Sequence, residues 1–494
     1  MKKPNIVFIQ NDHQAFYHWN WDRENRPKRP NFEKLAAEGA EFTDAYCSSP
    51  LCGPTRRTML TGVFAHKHGQ YHNYTEAEYL HEVYLDTLAE HGYQNYYFGK
   101  WHAGPGDAKE HGCEGFCYTD YGNPYISNEY KEYLKKKDLP QAVHHIVKSF
   151  YVDGISDRGD WDGMEPGADY QCKSWWCGEH AVGVTTTPKE THESFFLANL
   201  ACEKLEEIAK SSDERPFSLR VDFWGPHQPH FPTQEFLDMY EDFHLPQYGN
   251  FNDDLKGKPK TYFRERNVPL GQNDILIQPS VLKWEDWEML IKYCFAHQTM
   301  IDAAGGMIID KLHELGLDKN TLIVWTSDHG DGLACHGGHF DKGSYMCEEV
   351  LRIPLAMKWN GVIPPGQVRN ELVSTIDFPV TLLDAAGLKY TKNEVDGESI
   401  LPLVTEKSSQ WREDLMSETQ GHGYGDDTMA RAVRYQDWKY IITKDDIEEL
   451  YNLKEDPFEL KNLIENEEYQ AVLKDMQERL QKWQKTTNDT FQMR

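Results

Sequence analysis

From Asn5 the chain runs Ile-Val-Phe-Ile before Gln10, Asn11, Asp12 and His13. An unbroken apolar run rich in β-branched residues predicts a strand covered on both faces. "RPNFEKLAAEG" follows with Phe32, Leu35 and Ala36 on one helical face, Pro30 near its start and Gly39 at its end. Strands are predicted from Phe42 to Ala45 and over residues 93–100, "YQNYYFGK". At Thr187 the signals predict a helix start, with Thr187 as cap, Pro188 in the first position and Glu190 closing a capping box. That helix would bury Phe196, Leu197, Leu200, Leu205 and Ile208. A strand over 216–224, a helix through Ile301, Ile308, Leu312 and Leu315 that stops at Gly316, and a buried strand opening "TLIVWTSDHGD" complete the alternation. Strands alternating with helices predict an α/β fold around a large mixed, mainly parallel sheet.

After about residue 400 the pattern changes. "RAVRYQDWKYIITK" and "EELYNL" read as short antiparallel strands, and "YQAVLKDMQERLQKWQK" as an amphipathic helix burying Val472, Leu473, Met476, Leu480 and Trp483. The expected division is a catalytic-type domain over 1–400 and a smaller α+β domain over 401–494. Residues 105–180 form the least regular part, and Trp161, Trp175 and Trp176 there suit either a ligand-stacking surface or simple packing.

Charge narrows the partners. With 52 Lys and Arg against 80 Asp and Glu, the net charge of -28 opposes attraction to nucleic acid or an anionic membrane. An anionic substrate would therefore need a local positive pocket. The start, "MKKPNIVFIQND", does not fit a secretory leader, and nowhere do eighteen apolar residues run together, so a soluble cytoplasmic chain is expected. The ten cysteines form no C-x-x-C pair and are read mostly as reduced thiols, with Cys113/Cys117 and Cys172/Cys177 left open as pairs or metal donors.

Candidate chemistry gathers just beyond the predicted strand ends, where ligands sit in such sheets. Asp12, His13, Asp328 and His329 offer oxygen and nitrogen donors suited to Ca, Mg or Mn. Lys100 and His102 in "GKWHAG", His227 and His230 in "GPHQPHFP", and Lys342 in "HFDKGSY" join Arg56 as the positive pocket. Each alone reads as a turn or a surface strand end; together they point to one site.

The segment Cys52-x-Pro54-x-Arg56, followed by "TMLTG", resembles the signature of the type I sulfatases of the alkaline phosphatase superfamily. "PNIVFIQND", "FGKWHAG", "SDHGDGLACHGGHFDKGS", "EEVLRIPLAM" and "ELYNLKEDPFELKNL" resemble that family in the same order. The resemblance implies that a maturation enzyme converts Cys52 to formylglycine, whose hydrated aldehyde carries two hydroxyls. One attacks sulfur and displaces an alcohol; the second lets the sulfated intermediate collapse and release sulfate. It also implies residue roles. Asp12, Cys52, Asp328 and His329 would surround one divalent metal, most simply Ca2+ with Mg2+ or Mn2+ as alternatives, and His13 is a further candidate ligand. Arg56 would hold the diol, Lys100 and Lys342 the sulfate oxygens, His102 would take a proton during collapse, and His227 with Lys342 would serve the leaving oxygen. His230 is a weaker substrate-side candidate, as is His336, which matches a family histidine without a role of its own.

One departure stands out: many members carry a second aspartate where this chain has His13. A branch with Gln there includes choline sulfatase-like and phosphonate monoester hydrolase-like enzymes, and a phosphonate monoester or phosphodiester hydrolase is the alternative to the expected aryl or carbohydrate sulfatase. More distant readings are a two-metal phosphodiesterase and a catalytically silent binder of sulfated ligands. A small sulfate ester is the expected partner, and monomer and homo-oligomer are both left open.

Overall fold

The apolar run that opens the chain becomes β1 (Asn5–Asp12), whose interior is wholly buried. In the computed structural model, residues 3–492 are described apart from 17–24, 119–121, 150–163, 176, 178–180, 266–281, 340, 406–409 and 424–426. After β2 (Ala40–Tyr46), β3 (Gln94–Lys100) and β4 (Cys113–Tyr118) come three strands of a small antiparallel sheet. These are β5 (His144–Ser149), β6 (Asp169–Tyr170) and β7 (Ala181–Thr185). The large sheet resumes with β8 (Phe217–Pro226), β9 (Thr321–Ser327), β10 (Arg352–Trp359), β11 (Gln367–Arg369) and β12 (Val373–Ser374).

Its order is β11-β2-β10-β9-β1-β8-β3-β4, with β12 on β2. Only β10 runs antiparallel to its neighbours, so the expected mixed, mainly parallel sheet is what the chain forms. Every residue of β8 and β9 is buried, which requires cover on both faces. One helix group, Pro30–Ala37, Glu193–Lys210 and Trp284–Glu314, packs together; a second comprises Cys52–Thr61, Tyr84–Glu90 and Asp377–Ala385. Gly99 in β3 lies at φ +116, and a Cβ there would stand 2.0 Å from the Asp222 carbonyl oxygen, so only glycine lets β3 close on β8.

The expected antiparallel strands after residue 400 are β13 (Asp414–Gln420), β14 (Met429–Tyr435), β15 (Trp438–Thr443) and β16 (Glu449–Asn452), paired in sequence order. Helix Gln470–Thr487 covers this sheet with Met476 and Leu480 buried against it. No described helix is long and apolar enough to cross a membrane.

Three expectations are corrected. The helix expected from Thr187 begins at Glu193, after a 3-10 turn over Lys189–Thr191. Its cap is His192, whose ring accepts from the Ser194 amide at 3.2 Å, while the Thr187 hydroxyl bonds Thr191 instead. The helix through Ile301 extends back to Trp284, because Trp287, Leu290, Ile291, Tyr293 and Phe295 are buried around several faces and erase the amphipathic period. The stretch 105–180 is not uniformly irregular: β4 joins the sheet edge and helix Asn128–Lys137 follows it. Trp175 is 51% exposed, whereas Trp161 and Trp176 lie outside the described residues.

Candidate active site

Four neighbouring parallel strands, in the order β9, β1, β8 and β3, each deliver one candidate residue at or just past the carboxyl end: Asp328, Asp12, His227 and Lys100. Adjacent strands lie about 4.8 Å apart, so the side chains of one edge meet without any long-range adjustment. Helix Cys52–Thr61 enters the same place with Cys52 as its first residue and every residue buried. A helix N-terminus carries partial positive charge, which suits an anion or an anionic nucleophile.

Cys52 Sγ lies 3.0 Å from His329 Nε2 and 3.7 Å from Asp12 Oδ1. His329 Nδ1 donates to the Gly330 carbonyl at 2.8 Å, which turns the Nε2 lone pair toward Cys52. Asp328 Oδ1 accepts the backbone amides of His13 and His329, each at 2.9 Å, and Oδ2 accepts from Arg56 Nε at 2.9 Å. Arg56 Nη1 bonds the Lys100 carbonyl and Asp222 Oδ2, both at 3.0 Å. Its Nη2 has no hydrogen-bond partner and stands 3.7 Å from Asp12 Oδ2. Lys100 is ion-paired with Asp12 and lies over the Trp224 ring at 4.9 Å. Lys342 donates to Asp341 at 2.9 Å and to His227 Nε2 at 3.3 Å, while His227 Nδ1 donates to the Gln228 carbonyl.

The electrostatics are unfinished in one direction. Burial and Asp328 push the Asp12 carboxyl up to about 6, although Lys100 and Arg56 oppose them. Burial also disfavours ionised Asp328, but His329, Arg56 and Lys100 outweigh it and hold that carboxyl below the usual carboxylate range. Burial, then Asp12, pushes the Cys52 thiol up to about 12, so as a thiol it is no nucleophile at neutral pH. Burial and neighbouring cations hold His13, His102 and His227 neutral.

Donor atoms of Asp12, Cys52, Asp328 and His329 lie within 4.8 Å of one another. Two carboxylates and a lone-pair imidazole around a thiol with no thiolate character make a set for a hard divalent cation. His13 stands beside this group: its Nε2 lies 3.1 Å from Asp341 and 3.5 Å from Asp331, and its ring packs 4.7 Å from His227 and 4.9 Å from His329. His102, at φ +48, is close enough to Lys100, Arg56 and Lys342 to feel their charge. His230 packs instead against His297 at 5.9 Å, and His336 bonds Asp253 at 2.9 Å.

Sequence reasoning missed Asp222, which holds Arg56, Arg220 and the Tyr97 hydroxyl at 2.7–3.0 Å. The signal was there: Arg220 and Asp222 are charged residues inside the otherwise apolar run of β8.

A family model described as Sulfatase matches residues 4–388, and one described as N-sulphoglucosamine sulphohydrolase, C-terminal, matches residues 335–486. An N-acetylglucosamine-6-O-sulfatase of Bacteroides thetaiotaomicron is 24% identical, over 99% of this chain and 87% of that protein. A choline-sulfatase of Rhizobium meliloti is 27% identical over 94% of this chain and 83% of its own, and an arylsulfatase of Clostridium perfringens 26% over 94% and 91%. Among solved structures, the phosphonate monoester hydrolase of Agrobacterium radiobacter superposes with a TM-score of 0.77 at 20% identity, covering 98% and 96% of the two chains. A protein in complex with its substrate D-glucosamine-2-N,6-O-disulfate superposes at 0.70 with 21% identity, covering 99% of both.

Proposed function

The chain belongs to the sulfatase family, and on that premise we propose a formylglycine-dependent, metal-assisted hydrolysis of an aryl or carbohydrate sulfate monoester to an alcohol and inorganic sulfate. The enzyme class, sulfuric ester hydrolase, follows from the family itself. The observation that supports the mechanism is the placing of a non-nucleophilic thiol, Cys52, at a helix N-terminus among two carboxylates and an imidazole.

Converted by a maturation enzyme to formylglycine, residue 52 would supply a hydroxyl nucleophile, and a divalent cation, Ca2+ or in its place Mg2+ or Mn2+, would acidify it. Asp12, Asp328 and His329 offer the donors that hold such a cation. Arg56, fixed by Asp328 and Asp222, keeps one donor free to orient the group at position 52. Lys100 and Lys342 face the substrate anion and offset charge as the ester bond breaks. Neutral His102 accepts a proton during product release, and the hydrogen-bonded pair of Lys342 and His227 serves the leaving oxygen. His13 stays outside the donor group and orients His227 and Asp341. On a chain of net charge -28, these cations form the local pocket that lets an anionic ester bind. We also assign the strands and helix after residue 400 to a separate smaller domain, which limited proteolysis near that position tests.

The decisive experiment is the mass of the proteolytic peptide spanning Cys52, from chain produced beside a working maturation system, together with rates on matched sulfate, phosphonate and phosphodiester substrates. An aldehyde at residue 52 and faster turnover of sulfate monoesters are expected. An intact thiol in a chain that still turns over sulfate esters overturns the nucleophile assignment, and faster phosphorus ester turnover overturns the substrate class.

A further inference from the structure

The segment that leaves the sheet edge at Asp328 carries two buried donors, Cys335 and His336, before Lys342, and two more, Cys347 and Glu349, after it. Sulfur atoms of Cys335 and Cys347 and a carboxylate oxygen of Glu349 lie within 4.8 Å of one another. Both thiols are free and buried. His336 Nε2 stands 3.7 Å from Glu349 Oε2, and neither atom has a hydrogen-bond partner.

The outer contacts of these residues are complete. His336 Nδ1 is bonded to Asp253 Oδ2 at 2.9 Å, the carboxylate contact that turns the opposite nitrogen into a lone-pair donor. Asn250 donates to Glu349 Oε1 at 2.8 Å and accepts the His336 amide at 3.1 Å. The two orphaned atoms thus face each other, each side chain held by a partner on its far side, with His336 next to the cluster of Cys335, Cys347 and Glu349.

We propose that Cys335, His336, Cys347 and Glu349 bind a transition metal, zinc by donor chemistry, separate from the catalytic centre. Two thiolates, an imidazole and a carboxylate select zinc over calcium or magnesium. Zinc–ligand lengths of about 2.0–2.3 Å place tetrahedral donors roughly 3.3–3.8 Å apart, and the His336 to Glu349 separation of 3.7 Å falls in that range. Binding releases the two thiol protons. Burial pushes the Cys347 thiol up to about 11, with the Lys439 charge opposing it, so it is the bound cation that has to supply the compensation for ionised sulfur. A disulfide between the thiols would leave His336 Nε2 and Glu349 Oε2 facing each other with nothing between. The metal would pin both ends of the segment that presents Lys342.

The test uses the full chain carrying Cys52→Ala, so that the catalytic cysteine contributes no signal, produced in zinc-depleted, cobalt-supplemented medium. One cobalt per chain is expected at this site, with a thiolate-to-cobalt charge-transfer band and the visible bands of a tetrahedral complex, both lost on zinc exchange. Cys335→Ser or Cys347→Ser abolishes the band, and Cys172→Ser with Cys177→Ser preserves it. A missing band in the Cys52→Ala chain, a band that survives Cys335→Ser, or two thiols too few on denaturing titration overturns the proposal. Should the serine variants not fold, the Cys52→Ala spectrum and thiol count decide alone.

Discussion

Two regions of this molecule bury charge, and they do it differently. Against the antiparallel sheet, Lys439 bonds Glu348 at 3.0 Å and Glu459 at 2.8 Å. Arg431 grips Asp489 through two donors at 2.7 and 2.9 Å and stands 3.3 Å from Glu418, which also bonds His66 at 2.9 Å. There the carboxyls of Glu348 and Glu418 are held below their ordinary value despite burial, because Lys439 and Arg431 face them. At the edge formed by β9, β1, β8 and β3, Asp12 is equally buried yet pushed upward, and Arg56 retains an unbonded donor. The difference lies in the partners: at the antiparallel sheet Glu348 and Glu418 each face a cation, whereas burial and the neighbouring Asp328 outweigh Lys100 and Arg56 at Asp12.

The sharpest way to break this contrast is Cys52→Ala. Sulfate ester turnover should fall by more than about 10,000-fold, while circular dichroism and thermal midpoint stay near those of the parent; retained activity would remove Cys52 from the chemistry. Lys342→Ala should lower kcat about 100- to 1,000-fold, measured by steady-state kinetics, with little change in the unfolding midpoint. Lys439→Met should do the reverse. By leaving Glu348 and Glu459 without their cation it should cost about 3–5 kcal/mol in urea unfolding, with kcat per folded molecule unchanged.

The smallest effect concerns pH. Burial opposes protonation of His66, but Glu418 outweighs it and raises the ring above its ordinary 6.5. Because the folded value is the higher one, this contribution is fully present below pH 6.5 and is lost as pH rises through the folded value. Urea midpoints followed from about pH 5 to about pH 9 should show that decline in the parent chain and a flatter profile in His66→Gln.

The catalytic edge was the more legible of the two regions. Asp12, Lys100 and Asp328 each end an apolar run, and the end of a buried parallel strand is where ligands bind, so pattern alone placed them. Asp222 is visible as a charge in the run of β8, but a strand buried on both faces has no alternation that says which site an inward charge serves. Lys439, Glu348 and Glu459 were invisible for another reason: their pairing joins points 91 residues apart through tertiary packing, which no local period records. Cys335 and Cys347 carry no recognisable spacing, since eleven residues of loop separate them. The helix start at Glu193 was displaced because His192, an uncommon cap, won over a well-formed Thr187 signal.

The burial of Cys52 also sets a clock. Its thiol is 0% exposed and lies against His329, a residue 277 positions further along the chain. At about 5–20 residues per second of synthesis, roughly 15–55 s separate the appearance of Cys52 from that of the residue that closes over it. During that interval the helix that carries Cys52 lacks β9 and the residues that follow it, so the contacts that bury the thiol in the finished fold are not yet made. Once Asp328 and His329 dock, access ends. An enzyme that alters residue 52 would therefore have to reach it before Asp328 and His329 dock, because the finished fold leaves the thiol no exposure.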